Sequence, residues 1–172
     1  MSQVFIVGGA GKIGRRLSQQ LSSHGHQALA LYRNPEQTEE LKSLGAIPVP
    51  GSLLELDVAA LAALMAGSDV VVFSAGAGGK GGPQMTNAID GQGLELAVAA
   101  ARKAGVPRFL LVSAFPEASR GKEVSETFEN YMAVKKRADV HLAESDLDWV
   151  ILRPGKLLDT AGTGKVRTGL AI

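Results

Sequence analysis

The stretch Val4–Gly14 reads VFIVGGAGKIG, a short apolar run that stops at glycines and is followed by a helical pattern. The apolar run predicts a buried β-strand, and residues 12–24, with Ile13, Leu17 and Leu21 on one face, predict a helix. The glycines between them allow a sharp turn and a close approach to a ligand, because no Cβ intervenes. The free N–H groups and the positive dipole end of a helix start favour an anion. This arrangement predicts a site for the pyrophosphate of a dinucleotide.

The composition describes one folded chain without an obvious macromolecular partner. The 172 residues suffice for one domain, and 45% of them are hydrophobic, which excludes a disordered protein. The formal net charge is +1 with both signs mixed, so nothing points to nucleic acid or an anionic membrane. There is no cysteine, no signal-peptide pattern and no apolar run of about 20 residues. We expect a soluble, cytoplasmic protein that acts on a small molecule, with its oligomeric state left open.

Apolar runs alternate with helical patterns along nearly the whole chain. Strands are predicted at residues 4–7, 27–32, 46–49, 69–74, 108–113 and 149–152. Helices are predicted at residues 12–24, 35–44, 58–66, 84–104 and 126–144, the second opened by an Asn-Pro cap. Continuous apolar strands separated by helices indicate a parallel sheet covered on both faces, and right-handed crossovers make it doubly wound. The sequence therefore predicts an α/β fold of the Rossmann type in a single domain, residues 1–172.

Two segments carry no regular pattern. Residues 114–124 are predicted to form a polar loop, and residues 159–172 form a tail rich in glycine and threonine. No closing helix follows the last predicted strand. The tail is poorly defined, and the fold is expected either to be compact or to lack its last strand and helix.

The glycine pattern fits a dinucleotide turn in two registers. Gly9, Gly11 and Gly14 satisfy G-x-G-x-x-G, and Gly8, Gly11 and Gly14 satisfy G-x-x-G-x-x-G. Either pattern alone is weak in a glycine-rich protein, and the alternative is an ordinary turn. Its position between the first strand and the first helix favours the dinucleotide interpretation.

A P-loop for a nucleoside triphosphate is the competing phosphate site, since Gly11-Lys12 resembles its end. Its first glycine would fall at Ile6, and its metal-binding hydroxyl would fall at Ile13. Neither residue can serve, and the P-loop is excluded.

The end of the second predicted strand favours NADP over NAD. An acidic residue there binds the ribose 2′-hydroxyl of NAD, but the sequence is Leu31-Tyr32-Arg33-Asn34. The guanidinium of Arg33 can pair with a 2′-phosphate, and Lys12, Arg15 or Arg16 could add positive charge. The alternative is that Arg33 is a surface charge near a helix start.

A tyrosine and a lysine suggest a reaction. Tyr131 and Lys135 lie four residues apart on one helix face, and an ammonium there would lower the tyrosine pKa and assist proton transfer to a carbonyl. Ser113 ends the fifth predicted strand, at the edge where such sheets place ligands. The spacing also arises by chance, and Lys136 and Arg137 make this helix generally basic.

Other polar and aromatic residues carry less information. Asp90 and Glu95, in the predicted helix 84–104, are expected to be solvated or structural, and Trp149 is expected in the core. The three histidines are too scattered in the sequence to suggest a metal site, and none is predicted.

These motifs together resemble the short-chain dehydrogenase/reductase superfamily. More narrowly, the chain is similar to its atypical NAD(P)H-binding branch, which includes flavin/biliverdin reductase-like and quinone reductase-like proteins. The matching stretches are residues 8–14, 33–35, 74–76, 104–109, 112–113, 131 with 135, and 147–155.

The resemblance implies a role for each matching residue. The pyrophosphate would be bound by Gly8, Gly11, Lys12, Ile13 and Gly14, and the 2′-phosphate by Arg33. Ser52 and Leu53 would lie near the adenine. The ribose and nicotinamide side would be lined by Ser74, Ala75 and Gly76, and the nicotinamide would be flanked by Pro154 and Gly155. Ser113, Tyr131 and Lys135 would be the catalytic set, with Lys135 also holding the nicotinamide ribose.

Two functions are consistent with these residues. The first is an NADPH-dependent oxidoreductase that passes hydride to a small carbonyl, quinone or flavin-like acceptor. The second is a non-catalytic NADP(H)-binding redox sensor or scaffold. The glycine turn and Arg33 serve both functions, whereas Tyr131 with Lys135 favours the reductase. The sequence does not identify the acceptor.

Overall fold

The computed structural model describes residues 1–115 and 123–169, which form one six-stranded parallel sheet in the order β3-β2-β1-β4-β5-β6. The strands are β1 (Gln3–Val7), β2 (Gln27–Tyr32), β3 (Ala46–Pro50), β4 (Val70–Phe73), β5 (Arg108–Val112) and β6 (Asp148–Leu152). The predicted α/β doubly wound sheet is confirmed.

Helical segments connect the strands. They are α1 (Lys12–Ser23), a 3-10 turn (Pro35–Gln37), α2 (Thr38–Ser43), α3 (Val58–Met65), α4 (Gly82–Thr86), a π-helical turn (Asn87–Gln92), α5 (Gly93–Ala104) and α6 (Glu126–Ala143). None of the described helices combines the length and the apolar character that crossing a bilayer requires.

The order of the strands places the ligand edge. β1 pairs with β2 on one side and with β4 on the other, so Val4 lies opposite both Ala28 and Val70. The chain therefore winds outward in one direction through β2 and β3, and in the other through β4, β5 and β6. Open sheets of this type bind ligands at the carboxyl ends of the strands where the winding reverses. The glycine turn after β1 lies at this point.

Both faces of the sheet are buried, as the continuous apolar strands predict. Successive side chains of β1 point to opposite faces, so Phe5 and Val7 pack in one cluster while Val4 and Ile6 pack in the other. Phe5, Phe73 and Phe109 are fully buried in the first cluster, against residues of α3, α5 and α6. Each such side chain contributes about 1.5–3 kcal/mol of transfer free energy. The second cluster is smaller and has Ala28 and Ala30 on β2.

Small residues bring α1 close to the sheet. A Cβ at Gly9 would lie 2.6 Å from Cα of Ala30, and one at Gly14 would lie 2.5 Å from the carbonyl oxygen of Gly8. These distances leave no room for a methyl group. The glycines of the motif are therefore required by packing as well as by the turn.

The structure modifies the predicted helices in two places. The predicted helix 35–44 begins as a 3-10 turn, whose first N–H groups are capped by Asn34; its side chain accepts from Glu36 N at 3.2 Å. The predicted helix 84–104 is interrupted by the π-helical turn, which a period of 3.6 residues does not predict. Gly91 lies in this turn and Gly93 directly follows it, and their weak helix propensity lowers the cost of the irregular backbone.

The remaining expectations concern the end of the chain. Trp149 is 41% exposed, so its expected place in the core is wrong, because β6 is the last strand of the described sheet and is covered less than the others. Residues 153–169 contain no helix or strand. Residues 116–122 of the predicted polar loop and residues 170–172 of the tail lie outside the described residues.

Candidate functional site

The turn between β1 and α1 forms a cradle for an anion. Because α1 begins at Lys12, the N–H groups of Lys12, Ile13 and Gly14 have no acceptor within the helix. The N-cap residue is Gly11, which has no side chain to cap them, and its own N–H donates to the Gly8 carbonyl at 3.0 Å. These donors and the helix dipole face the carboxyl edge of the sheet, where they can bind a phosphate.

Gly8 brings a second loop against this cradle. Its φ of +85° lies in the left-handed region, and a Cβ on it would be 2.6 Å from the backbone nitrogen of Ala75. The loop after β4 therefore packs directly on the turn after β1. Only glycine allows this contact.

A cavity of about 300 Å³ opens beside the two loops. Its apolar walls come from Leu31, Leu53, Ala75, Met85 and Ile89, which belong to four separate segments at the carboxyl edge. Met85 and Ile89 are four residues apart in consecutive helical turns and so share one face. Apolar walls of this kind suit an aromatic ring such as a purine.

The polar lining of the cavity is positive. Arg33 and Lys80 contribute cations, and the uncharged polar side chains there include Gln37, Ser52 and Ser74. Among the described residues, no aspartate or glutamate lines the cavity. An anionic group entering near Arg33 would therefore meet attraction without repulsion from a carboxylate.

The other cations near the turn are already paired. Lys12 Nζ lies 2.7 Å from Asp159 Oδ2, and Arg16 also reaches this carboxylate, at 3.5 Å. Arg15 pairs with Glu40 at 2.9 Å. The hydrogen bond from Lys12 lowers the pKa of Asp159 below its ordinary value. The positive charge expected from these three residues is thus partly neutralised, whereas Arg33 has no ion pair within the described part of the chain.

The two predicted serines of the cavity are held by the backbone. Ser74 Oγ donates to the Val7 carbonyl at 3.3 Å, which ties the end of β4 to the end of β1. Ser52 Oγ accepts from the backbone nitrogen of Leu54 at 3.3 Å. Both side chains line the cavity together with Leu53, Ala75 and Gly76, as do Gly8 and Gly11.

Asp90 is buried and paired, so of the two expected roles, solvated or structural, it has the structural one. Its Oδ1 lies 3.0 Å from Nζ of Lys135, and both side chains are nearly inaccessible, with exposures of 2% and 6%. Its Oδ2 accepts from the backbone nitrogen of Ala77 at 2.9 Å. Glu95 on α5 is exposed.

Tyr131 lies beside this pair, but its pKa shifts in the direction opposite to the predicted one. Lys135 Nζ is 5.6 Å from the centre of the tyrosine ring, so the two residues are neighbours. Burial, and next the negative charge of Asp90, raise the pKa of Tyr131 above its ordinary value. The sequence prediction considered only the ammonium of Lys135 and missed the carboxylate that neutralises it.

The remaining predicted residues lie apart from the cavity. Ser113 is 5% exposed; its backbone nitrogen donates to Leu152 at 2.8 Å, and its Oγ has no hydrogen-bond partner among the described residues. No hydrogen bond in the described structure joins Ser113 to Tyr131 or Lys135. Pro154 accepts from Phe115 N at 3.2 Å, and the exposed Gly155 has open space around it.

Sequence reasoning missed several lining residues, namely Ala10, Leu31, Tyr32, Gln37, Gly51, Ala77, Lys80, Met85 and Ile89. Most of them lie at or just beyond the carboxyl ends of β1 to β4, a rule that could have found them. The face shared by Met85 and Ile89 was also readable from their spacing. The pairing of Asp90 with Lys135 was not readable, since nothing local links residues so distant in sequence.

Known proteins share this fold and a dinucleotide cofactor class. A protein family described as NAD(P)H-binding matches residues 8–171. A relative from Bacillus subtilis, named "Uncharacterized sugar epimerase YhfK", is 36% identical over 165 residues, covering 95% of this chain and 76% of the relative.

Two solved structures share the fold and part of the sequence. One from Bacillus halodurans, provisionally assigned as an NAD-dependent epimerase/dehydratase, superposes with a TM-score of 0.86 at 35% identity, covering 96% of this chain and 75% of that one. The oxidoreductase ylbE from Lactococcus lactis superposes with a TM-score of 0.79 at 29% identity, covering 94% and 73%.

Replacing Asp159 with asparagine should strengthen binding of a phosphate ligand at the cradle, because Lys12 and Arg16 lose their competing carboxylate. We expect Asp159→Asn to bind NADPH about two- to fivefold more tightly at low salt, with the gain shrinking as salt screens the exposed charges. Titration of NADPH fluorescence measures this.

Asp146→Asn is the matched control. Asp146 is also exposed, and hydrogen bonding to Arg102 lowers its pKa too, but it lies at the opposite edge of the sheet, just before β6. If Asp159→Asn binds NADPH no more tightly than Asp146→Asn, Asp159 does not compete for the cradle.

Proposed function

We propose that this chain, which belongs to the NAD(P)H-binding family and to the atypical branch of the short-chain dehydrogenase/reductases, is an NADPH-dependent reductase of a small carbonyl, quinone or flavin-like acceptor. The observation that carries the proposal is the continuous edge of the sheet on which the anion cradle adjoins a cavity lined by Arg33 and by no described carboxylate.

The residues of this edge fit the parts of a dinucleotide. The unpaired N–H groups of the first turn of α1 would bind the pyrophosphate, helped by the absence of a Cβ at Gly8 and Gly11. Leu53 and Ile89 would enclose the adenine, and Ser74, Ala75 and Gly76 would lie on the path towards the nicotinamide. We also place Ser52 near the adenine and Pro154 and Gly155 beside the nicotinamide, on the strength of the family resemblance. Bound NADPH supplies a hydride to the acceptor.

Arg33 supports NADPH over NADH. It follows β2, at the place where NAD-specific proteins carry an acidic residue, and it lines the cavity. With Lys12, Arg15 and Arg16 engaged by carboxylates, Arg33 is the residue best placed to receive the 2′-phosphate. A charge-assisted contact of this kind distinguishes the two cofactors directly.

Tyr131 would be the proton donor of the reductase. Its raised pKa keeps the phenol protonated at neutral pH, so it can donate a proton to a carbonyl oxygen that becomes negative. Lys135 would steady the charge that develops, and the buried Oγ of Ser113, which has no described partner, would hold the acceptor oxygen. A quinone or flavin acceptor needs alignment more than a proton from Tyr131.

The names of the relatives favour a second candidate, an NAD-dependent sugar epimerase. An epimerase first oxidises its substrate and needs a base, which a phenol with a raised pKa supplies poorly near neutral pH. A non-catalytic sensor would use the cradle and Arg33 but would have no chemical use for Tyr131 beside Lys135. Burial of Tyr131 and the negative charge of Asp90 therefore support the reductase over the epimerase.

Replacing Arg33 with alanine should weaken NADPH binding about ten- to a hundredfold, because a charged hydrogen bond contributes about 1.5–3 kcal/mol. NADH affinity should change little, and Arg33→Lys should keep part of the discrimination. Equal losses for NADPH and NADH in titrations of both ligands would remove Arg33 from this role.

Replacing Tyr131 with phenylalanine separates the acceptor classes. We expect aldehyde or ketone reduction to fall about a hundredfold or more, while NADPH affinity and any quinone reduction change little. NADPH oxidation against a panel of aldehydes, quinones and flavins measures this for wild type and variant. A protein that binds NADPH but reduces none of them is not the proposed reductase. Interconversion of sugar epimers without net cofactor consumption would establish the epimerase instead.

A further inference from the structure

Three segments meet at one buried carboxylate. Asp90 lies in the π-helical turn, the loop after β4 reaches it through Ala77, and α6 reaches it through Lys135. Each carboxylate oxygen has a different partner, Oδ1 the ammonium of Lys135 and Oδ2 the backbone N–H of Ala77. A Cβ on Gly76 would lie only 3.1 Å from Oδ1, so the carboxylate also packs tightly against this glycine.

The π-helical turn carries Asp90 and places it between these segments. π-helical turns are rare and are frequently found at functional sites, because they displace a side chain from the regular helical path. A carboxylate that is almost inaccessible to solvent needs the opposite charge and hydrogen bonds to remain ionised. Lys135 and Ala77 supply both, and neither partner has another described contact that would replace Asp90.

The two contacts join the cavity to the reacting groups. Gly76 and Ala77 line the cavity, whereas Lys135 and Tyr131 do not. Asp90 contacts both groups of residues, since Oδ2 accepts from Ala77 and Oδ1 pairs with Lys135. A rearrangement of the loop as the cavity fills would therefore act on Lys135 through a single rigid carboxylate.

We propose that Asp90 is a positioning residue with two separable tasks: Oδ2 fixes the cavity loop for the cofactor, and Oδ1 fixes Lys135 beside Tyr131. The inference rests on the proposed function, since it assigns the cavity to NADPH. Its consequences for the loop and for Tyr131 are measurable without turnover.

Asp90 is the charged group that faces Tyr131 from its neighbours. α4 contains no charged residue, and the charged side chains of the other elements packed against α6 are exposed: Glu95, Arg102 and Lys103 on α5, and Asp148 on β6. On α6 itself, Lys135 is paired with Asp90 and Asp139 with Arg153, and the other titratable side chains are exposed, namely Glu126, Glu129, Lys136, Arg137 and His141. Removing the charge of Asp90 should therefore lower the pKa of Tyr131.

Two substitutions separate the two tasks. Asp90→Ala removes both contacts, and we expect it to weaken NADPH binding about tenfold, the usual effect of a lost buried hydrogen bond. Asp90→Asn keeps an oxygen for Ala77 N–H but loses the charge, so its NADPH affinity should stay close to wild type while the pKa of Tyr131 falls. Glu95→Gln, which neutralises an exposed carboxylate farther along the same helical stretch, should change neither quantity.

The pKa of Tyr131 is measured from the ultraviolet absorbance of tyrosinate in a Tyr32→Phe background, since the chain has two tyrosines. Asp90→Asn leaves the ammonium of Lys135 buried without its partner and could unfold the protein, which circular dichroism detects. The double variant Asp90→Asn with Lys135→Met removes both charges and keeps the loop contact. It should fold, bind NADPH as tightly as Lys135→Met alone, and show a lower pKa of Tyr131 than Lys135→Met, which keeps the carboxylate of Asp90.

The proposal is overturned if loss of the Asp90 carboxylate leaves the pKa of Tyr131 unchanged, comparing Asp90→Asn with wild type or the double variant with Lys135→Met. It is also overturned if the asparagine variant loses as much NADPH affinity as the alanine variant. A protein that shows the expected shifts but reduces no acceptor would refute the proposed reductase and leave the assignment of Asp90 intact. If no form binds NADPH, the proposed function fails, and the pKa of Tyr131 alone decides whether Asp90 controls it.

Discussion

The site depends on close contacts between backbone segments, which are possible because glycines have no Cβ. Gly8 lies against Ala75, and Gly14 lies against the carbonyl of Gly8, at distances that exclude any other residue. These contacts draw the turn after β1, the start of α1 and the loop after β4 to one point. The point coincides with the reversal of winding in the sheet, so the anion cradle and the cavity open side by side.

Charge then divides this edge into two regions of different character. Near the cradle, Asp159 and Glu40 engage the cations of α1, and Arg33 stands free of described ion pairs at the cavity. Deeper in the protein, Asp90 and Lys135 neutralise each other next to Tyr131. The ion pairs of the first region are exposed, so salt weakens them. The ion pair of the second region is shielded from solvent, so salt affects it little. The proposed cofactor choice at Arg33 and the proposed proton transfer at Tyr131 would thus be governed by separate electrostatics.

Local patterns predicted the sheet well because a parallel strand buried on both faces is a continuous run of apolar residues. The apolar run of β1 and the Asn34 cap needed no tertiary information. The π-helical turn was missed because the periodicity of apolar residues does not distinguish a π-helical turn from an α-helical one. The direction of the pKa shift at Tyr131 was missed because it is set first by burial and next by Asp90, a residue forty-one positions earlier in the sequence. Trp149 was misjudged because an apolar strand does not reveal that it lies at the sheet edge.

The central claim is that the carboxyl edge of this sheet binds NADPH with its adenosine half in the cavity beside Arg33. A crystal structure of the complex tests it most directly. The account predicts the adenine between Leu53 and Ile89, the 2′-phosphate within hydrogen-bonding distance of Arg33, and the pyrophosphate at the first turn of α1. A complex with the adenine outside this cavity, or with Arg33 turned away from the 2′-phosphate, would contradict it.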